Sequence, residues 1–564
     1  MKLTIYKLKK LFFDQQHSVL SAATLIMVMI VASRLLGLVR QRVLAHYFVP
    51  DELSLFFAAF RLPDTIFEVL VFGTFASAFI PVFTKTLKEG SIAGRKKAWE
   101  IAGLVTNWGA VFFLVFAVII IVFAGPLYRL ITPGFTASEQ IRIVSLARIL
   151  FAAQGFFVVS YVLTAVLESS KRFFVPALAP LLYNLGIIVA TVLFSKNLGL
   201  LAPTIGVVIG AGSHFLIQLP LAMKLGFKFS GKLKLTTEVK QIAKLSLPRM
   251  LEVSFQQVAE FVELTLSSLI SVPAYTYFTF GNNIQLIPVG LFGTSIAKAA
   301  LPELARQADN PEVFKKTLFN TLNQVMFLMA PIVAFLMVAR VPVVRLVFGT
   351  DIFTWDATVE TSLVVSAFAF GIFSQSLNSI LARAFYALSD TKTPVIVSVS
   401  TLALNMIVDY VLVLVFKLPV WSLAAAFSFS CIVQTFILFG LMAKRIHDGA
   451  KNSLYIPIFK IVSSAFVSGS AMYFILKFFD KSVWLKKLSF VSNINLPFEK
   501  FVLDTRYSGN LLILTAFVGL LGVTIYIVLL KLLKSDELDV FSKLIKRMMV
   551  GQKFSTAEQE ELTP

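Results

Sequence analysis

The chain has 564 residues, 57% of them hydrophobic, and carries 51 Lys and Arg against 31 Asp and Glu, a formal charge of +20. Water cannot wet a surface built from that composition, so a soluble globular protein is excluded and a membrane protein indicated. Nucleic acid is excluded as a partner as well, because the positive charge is confined to alternate connections between long apolar runs.

A hydrocarbon layer of about 30 Å takes about 20 helical residues. That criterion predicts about fourteen spans, near 19–43, 53–83, 99–124, 141–167, 176–195, 200–223, 242–271, 276–304, 317–340, 358–387, 394–416, 420–443, 456–478 and 509–533. Apolar runs this long lack the short alternation of a barrel strand, so the expected fold is an all-α polytopic membrane protein. Lys7, Lys9 and Lys10 precede the first span, Lys85, Arg95 and Lys96 follow the second, and Lys228, Lys232 and Lys240 lie between the sixth and seventh. Lys444 and Arg445 follow the twelfth, and Lys534, Lys543 and Lys546 the last. The positive-inside rule therefore places both termini in the cytoplasm. The loop near 480–506, with Lys486, Lys487 and Lys500, runs against the pattern. The basic start leads into a long apolar run without a small-residue cleavage site, which reads as a retained span. Cys431, the single cysteine, lies in an apolar segment and offers no intrachain disulfide.

Short patterns recur at a nearly constant separation. Pro126-Leu127-Tyr128-Arg129-Leu130 returns as Pro342-Val343-Val344-Arg345-Leu346 at an offset of 216, and Phe72-Gly73-Thr74 as Phe292-Gly293-Thr294 at 220. Leu163 and Pro176 bracket a basic connection as Leu381 and Pro394 do, offset by 218. Six spans per half is an even number, so the repeats run parallel about an axis along the membrane normal. The expected organisation is a cytoplasmic segment 1–18, an N-lobe 19–224, a linker 225–241, a C-lobe 242–445, a helix pair within 446–535 and a tail 536–564. A cavity is expected between the lobes, and the last pair serves as a groove for lipid or as an anchor.

In the first span Ser33, Gly37 and Arg40 follow i, i+4, i+7 spacing and share a helical face, flanked by Arg34. An arginine at bilayer centre costs ~2.5–3.5 kcal/mol even on permissive scales, so such groups face protein or water and bind anions. Two guanidiniums suit a pyrophosphate; the alternative for Arg40 and Arg42 is snorkelling to lipid phosphate. Arg61 stands in Phe60-Arg61-Leu62-Pro63-Asp64, where Pro63 is expected to break the helix. In the seventh span Arg249, Glu252, Gln256, Glu260 and Glu263 fall within a sector of about 80°, a hydrated wall or an internally paired stripe. In the eleventh, Asn405 and Asp409 are i, i+4; with Glu263 and Ser428 they form a candidate oxygen-only sodium site, or Asp409 carries a proton. No phosphate-binding Gly-x-x-x-x-Gly-Lys-Ser/Thr loop occurs and His17, His46, His214 and His447 are scattered, so no enzyme, metal enzyme or ATP-driven pump is indicated and no cofactor is expected beyond sodium or proton coupling. The residues by themselves point to a transporter of an anionic substrate.

Ser33-Arg34-Leu35-Leu36-Gly37-Leu38-Val39-Arg40, Phe56-Phe57-Ala58-Ala59-Phe60-Arg61-Leu62-Pro63-Asp64 and Phe75-Ala76-Ser77-Ala78-Phe79-Ile80-Pro81 resemble the MurJ (MviN) lipid II flippases. So do Ile287-Pro288-Val289-Gly290-Leu291-Phe292-Gly293, Ala300-Leu301-Pro302-Glu303-Leu304 and Asp390-Thr391-Lys392-Thr393-Pro394; the resemblance covers about residues 18–445. It implies a fourteen-helix member of the multidrug/oligosaccharidyl-lipid/polysaccharide exporter superfamily in the bacterial inner membrane. The implied substrate is the undecaprenyl-pyrophosphate-linked peptidoglycan precursor, moved to the outer leaflet by alternating access. Membrane lipids and cell-wall synthesis proteins complete the implied partners. The family's cavity arginines map onto Arg34 and Arg40, whereas Gln41, Phe67 and Asn283, beside Asn282, stand where the family has an acid and two arginines. Asn282 and Asn283, with the seventh-span stripe, are expected to meet sugar or peptide groups. Rival readings are export of another polyprenyl-linked oligosaccharide or a cationic drug, a membrane-embedded glycosyltransferase, and a non-transporting cell-wall scaffold.

Overall fold

The computed structural model describes residues 19–72, 75–88, 92–446, 452–481, 502–535 and 537–538. The expected segment 1–18 and nearly all of the tail 536–564 lie outside the described residues, as does most of the connection 480–506. Among the described residues the chain is helical throughout, with one isolated bridge between Asp480 and Leu503.

In chain order the helices are α1 (Val19–Tyr47), α2 (Pro50–Phe67), α3 (Phe75–Lys88), α4 (Ile92–Ile131), α5 (Ala137–Ser169), α6 (Phe174–Leu198), α7 (Leu201–Leu225) and α8 (Thr237–Ile270). There follow α9 (Ala274–Pro288), α10 (Thr294–Arg306), α11 (Pro311–Val338), the short α12 (Arg340–Phe348), α13 (Trp355–Ala387), α14 (Lys392–Tyr410), α15 (Trp421–Arg445), α16 (Asn452–Phe479) and α17 (Ser508–Leu532). The second and eighth expected spans are each a pair of helices, α2 with α3 and α9 with α10. Among the described residues, eleven helical segments are long and apolar enough to cross a membrane. The three remaining expected spans all carry charged side chains, Arg34, Arg40 and Arg42 on α1, Arg61, Asp64 and Glu68 in the span of α2 with α3, and Glu260 and Glu263 on α8.

The duplication is written in the backbone. Five-residue π turns follow α2 at Glu68–Phe72 and α9 at Val289–Gly293. Helices α5 and α13 both have 33 residues, and threonines cap both: Thr136 Oγ1 accepts from the Glu139 N–H and Thr354 Oγ1 from the Ala357 N–H. Just past them Lys171 and Ser389 share φ 59°. Helices α7 and α15 both have 25 residues. The turns before them each use a residue of positive φ, Gly199 at 53° and Lys417 at 51°.

Two compact units result, Met1–Thr276 with Thr350–Phe353, and Tyr277–Gly349 with Thr354–Pro564. The repeat places a lobe boundary at 225–241, whereas compactness places α8 with the first unit, because α8 packs on α3 and α4. A Lys97–Glu238 ion pair of 2.6 Å holds its start. The segment before it is held by Asn107 Nδ2, which donates to Lys232 O at 2.8 Å.

Within the first unit α6 and α7 touch backbone to backbone. A Cβ on Gly186 would lie 2.7 Å from Gly210 Cα, and one on Gly210 2.5 Å from Tyr183 O, so glycine is the residue that allows this approach. In the second unit Met472, Leu476, Leu514 and Val518 of α16 and α17 pack against Ala334, Phe335 and Val338 of α11. The final pair is therefore docked on the repeat.

Two interior prolines are accommodated by the same device. Helix α2 does not break at Pro63, contrary to the expectation from its sequence. The missing N–H instead leaves the Ala59 carbonyl without its helical donor, and Tyr128 Oη donates to it at 2.8 Å. In the second unit Pro331 lies inside α11, and Tyr526 Oη donates to the Phe327 carbonyl four residues before it, at 3.0 Å.

Candidate functional site

The charge-bearing helices α1, α2 and α8 all belong to the first unit. On α1 the expected face forms: Gly37 lies against Asn184 of α6, whose Nδ2 is 3.5 Å from Ser33 O, and the Arg40 guanidinium lies 6.0 Å from the ring centre of Tyr183. Arg40 Nε is buried with no hydrogen-bond partner. Arg34 is about 120° round the helix from Arg40 at ~100° per residue, and is exposed. Arg34 and Arg40 therefore do not share a face.

Helix α2 supplies Arg61 and Asp64, one turn apart. Arg61 Nη1 pairs with the Glu260 carboxylate of α8, and Thr65 Oγ1 donates to Gln257 Oε1 at 2.9 Å. Asp64 accepts from Gln154 Nε2 of α5 and lies within electrostatic reach of both Arg61 and Arg40. Glu263 and Tyr275 also neighbour Arg61, and Glu68 neighbours Asp64 and Arg61. The interior of this unit thus sets Arg40 and Arg61 among the carboxyl groups of Asp64, Glu68, Glu260 and Glu263. A guanidinium away from bulk water needs such counter-charge, and the arrangement can exchange that internal counter-charge for an anionic ligand.

The seventh-span stripe is only partly inward. Glu260 and Glu263 meet Arg61, but Gln256 is exposed and the buried glutamine is Gln257. The side chain of Glu252 lies outside the described residues. Asp64, Gln154, Tyr183 and Gln257 were not singled out by the sequence. A signal for Asp64 existed in its i+3 spacing from Arg61; Gln154 and Tyr183 stand alone in apolar helices and become visible only once α5 and α6 close on α1 and α2.

The remaining predicted residues lie in the second unit. Asn282 Oδ1 accepts from Gln285 Nε2 at 2.9 Å, and Asn283 Nδ2 is buried without a hydrogen-bond partner. Asn405 Nδ2 donates to Asp409 Oδ2 at 2.9 Å, the two residues being 3% and 1% exposed. Asn405 Oδ1 is buried and makes no hydrogen bond. Ser428 Oγ donates to Ala367 O at 2.6 Å. Glu263 belongs to the first unit and the Asn405–Asp409 pair to the second. Among the described residues no three His, Cys, Asp or Glu side chains are grouped as metal ligands. His214 is an interior residue of the first unit, its Nδ1 2.5 Å from Ser160 Oγ.

The fold is that of solved transporters. Lipid II flippase MurJ in an inward closed conformation superposes with a TM-score of 0.72 at 22% identity, over 90% of this chain and 98% of that one. An inward-facing multidrug resistance MATE family transporter of the MOP superfamily gives 0.59 at 16% identity, over 75% and 96%. In sequence, a probable lipid II flippase MurJ of Rhizobium meliloti (strain 1021) is 27% identical over 462 residues, 78% of this chain and 84% of the relative. One from Thermotoga maritima is 25% identical over 513 residues, 90% and 95%. The profile of the family described as lipid II flippase MurJ matches residues 44–492, and the chain belongs to that family.

Proposed function

We propose that this protein moves lipid II, the undecaprenyl-pyrophosphate-linked peptidoglycan precursor, from the inner to the outer leaflet of the bacterial inner membrane by alternating access. Arg40 and Arg61 hold the pyrophosphate, and the prenyl tail stays in lipid. The observation that carries the assignment of the grip is the pair of buried Nε donors of Arg40 and Arg61, which make no hydrogen bond although both guanidiniums lie within reach of Asp64. Arg34, exposed on α1, meets the head group on entry. Asn282 and Asn283 meet sugar or peptide. Both termini are cytoplasmic, so outward movement of about two negative charges across an inside-negative membrane releases ~2.3 kcal/mol per charge per 100 mV. Proteoliposomes loaded with labelled lipid II test this. Wild type should expose label at the outer face and Arg40→Ala should lose most of that rate; an unchanged Arg40→Ala rate refutes the grip, and failure of wild type to move lipid II refutes the substrate.

The buried Asn405–Asp409 pair, with Asn405 Oδ1 unsatisfied, favours cation coupling in the second unit. Sodium or a proton would reset the transporter there; Glu263, beside Arg61, serves the first unit instead. Asp409→Asn should abolish the dependence of transport on a sodium or proton gradient, and retained dependence rejects the site.

A further inference from the structure

We infer that Glu260 is an internal competitor for the substrate's anionic head, occupying Arg61 when the site is empty and yielding it when a pyrophosphate arrives; this rests on the pyrophosphate reading above. The two partners are unequal. The Arg61 side chain is 18% exposed and the Glu260 side chain 41%. The carboxylate is the partner with access to water, so it can swing away while the guanidinium stays anchored in the unit.

The pair also leaves Arg61 underused. Glu260 takes Nη1, while Nε is buried and unpartnered. A guanidinium offers five N–H donors in a fork that fits a phosphate by two parallel bonds, so a pyrophosphate satisfies a donor that Glu260 does not. Without any directly bonded anion, Arg61 would be a desolvated cation with Asp64, Glu68 and Glu263 nearby but not paired to it. Glu260 thereby keeps the empty site folded and sets a threshold that a weaker anion does not cross. The exchange has a mechanical consequence, because Arg61 is on α2 and Glu260 on α8. Once Glu260 lets go, the described side-chain hydrogen bond remaining between these two helices is Thr65–Gln257 one turn away, beside the longer-range attraction of Arg61 to Glu263. Binding is thus linked to loosening of α8 from α2, and return of Glu260 to Arg61 helps expel the lipid.

The test uses the full chain in nanodiscs, with undecaprenyl pyrophosphate and undecaprenyl monophosphate as probes. Glu260→Gln should bind the pyrophosphate lipid roughly two- to fivefold more tightly, the scale set by loss of one partly exposed ion pair. Lipid II turnover should fall in the same variant. A purely structural role would weaken both. The tightening should be smaller for the monophosphate and absent in Arg61→Gln/Glu260→Gln relative to Arg61→Gln. Glu260→Asp, which withdraws the carboxylate by one methylene, should change both readouts in the same direction by less, and carries the test if Glu260→Gln is unstable. Unchanged or weaker binding by these variants, with normal wild-type binding, overturns the competitor role alone. Wild type that binds neither lipid overturns the pyrophosphate reading and the competitor with it.

Discussion

The two proline–tyrosine devices make a sharp prediction. Tyr128 and Tyr526 are buried, and each hydroxyl donates to the carbonyl that an interior proline has deprived of its helical donor. Tyr128→Phe and Tyr526→Phe keep the ring and its packing and remove only that donor. A buried carbonyl left unpaired costs ~1–3 kcal/mol, so each variant should lose that much stability. The decisive measurement is a double-mutant cycle by thermal unfolding in detergent, because Pro63→Ala and Pro331→Ala restore the missing backbone N–H. In those backgrounds removal of the tyrosine hydroxyl should cost well under 1 kcal/mol, giving a coupling of ~1–2 kcal/mol. The two cycles should differ in their effect on transport. Ala59 is half a turn from Arg61, so Tyr128→Phe should slow lipid II movement, whereas Tyr526→Phe, at α11 and α17, should change stability more than rate. If the hydroxyl and the proline contribute additively at both sites, the reasoning is wrong.

Neighbouring glycines on α7 should respond with opposite signs. Gly210→Ala places a methyl against the Tyr183 carbonyl and should cost ~1–2 kcal/mol through overpacking, while Gly212→Ala, whose Cβ would meet only Phe156 at 4.0 Å, should be neutral to ~1 kcal/mol stabilising. Shifts of one sign for both variants refute the close approach. Lys417→Gly should be more stable than Lys417→Ala by ~1 kcal/mol, read as a difference in unfolding temperature, because Lys417 has a φ of 51°, which glycine adopts at no steric cost. Asp390 accepts from the Thr393 N–H at 3.0 Å and pairs with Arg445 at 2.5 Å, and these contacts hold its carboxyl below its ordinary value of 3.8. Its contribution is therefore full above about pH 4 and lost as pH falls through the depressed folded value. The stability difference between wild type and Asp390→Asn should shrink on acidification through that window; a difference that grows there refutes the assignment.

The sequence carries different parts of this structure with different clarity. Span positions follow from a solvent requirement, lipid on the outside of a helix, and that requirement acts on every residue of the run. The duplication was legible for a similar reason. Patterns such as Phe72-Gly73-Thr74 and Phe292-Gly293-Thr294 recur in the sequence, and the structure adds the two π turns, ending at Phe72 and Gly293, and the paired residues of positive φ that local sequence does not spell out. The face of α1 carrying Ser33, Gly37 and Arg40 was readable from its spacing alone, and the structure sets it against Asn184 and Tyr183 of α6. Helix α8 was harder. Its stripe was centred on Gln256, but the inward surface is chosen by Thr65 and Arg61 of α2, which select Gln257 and Glu260. Spacing along one helix gives a sector; only the partner says which edge of the sector is inside.

That dependence on partners also explains where the polar helices went. Arg34, Arg40 and Arg42 interrupt α1, Arg61, Asp64 and Glu68 interrupt the second span, and Gln256, Gln257, Glu260 and Glu263 interrupt α8. Each of these helices alone would put uncompensated charge into hydrocarbon at several kcal/mol. Together the cost falls, because Arg61 meets Glu260, Thr65 meets Gln257 and Asp64 meets Gln154. Helix α8 belongs to the second repeat by descent and to the first unit by contact, and the charges give a reason: its carboxylates need the guanidiniums that α1 and α2 carry. If so, removing Arg61 and Glu260 together should leave α8 packed through Gln257 and Val253, whereas Arg61→Leu alone leaves the partly exposed Glu260 without its partner and should be the more destabilising change, by up to ~1 kcal/mol. Unfolding measurements that rank the double variant below the single one would show that α8 is held by something other than these charges.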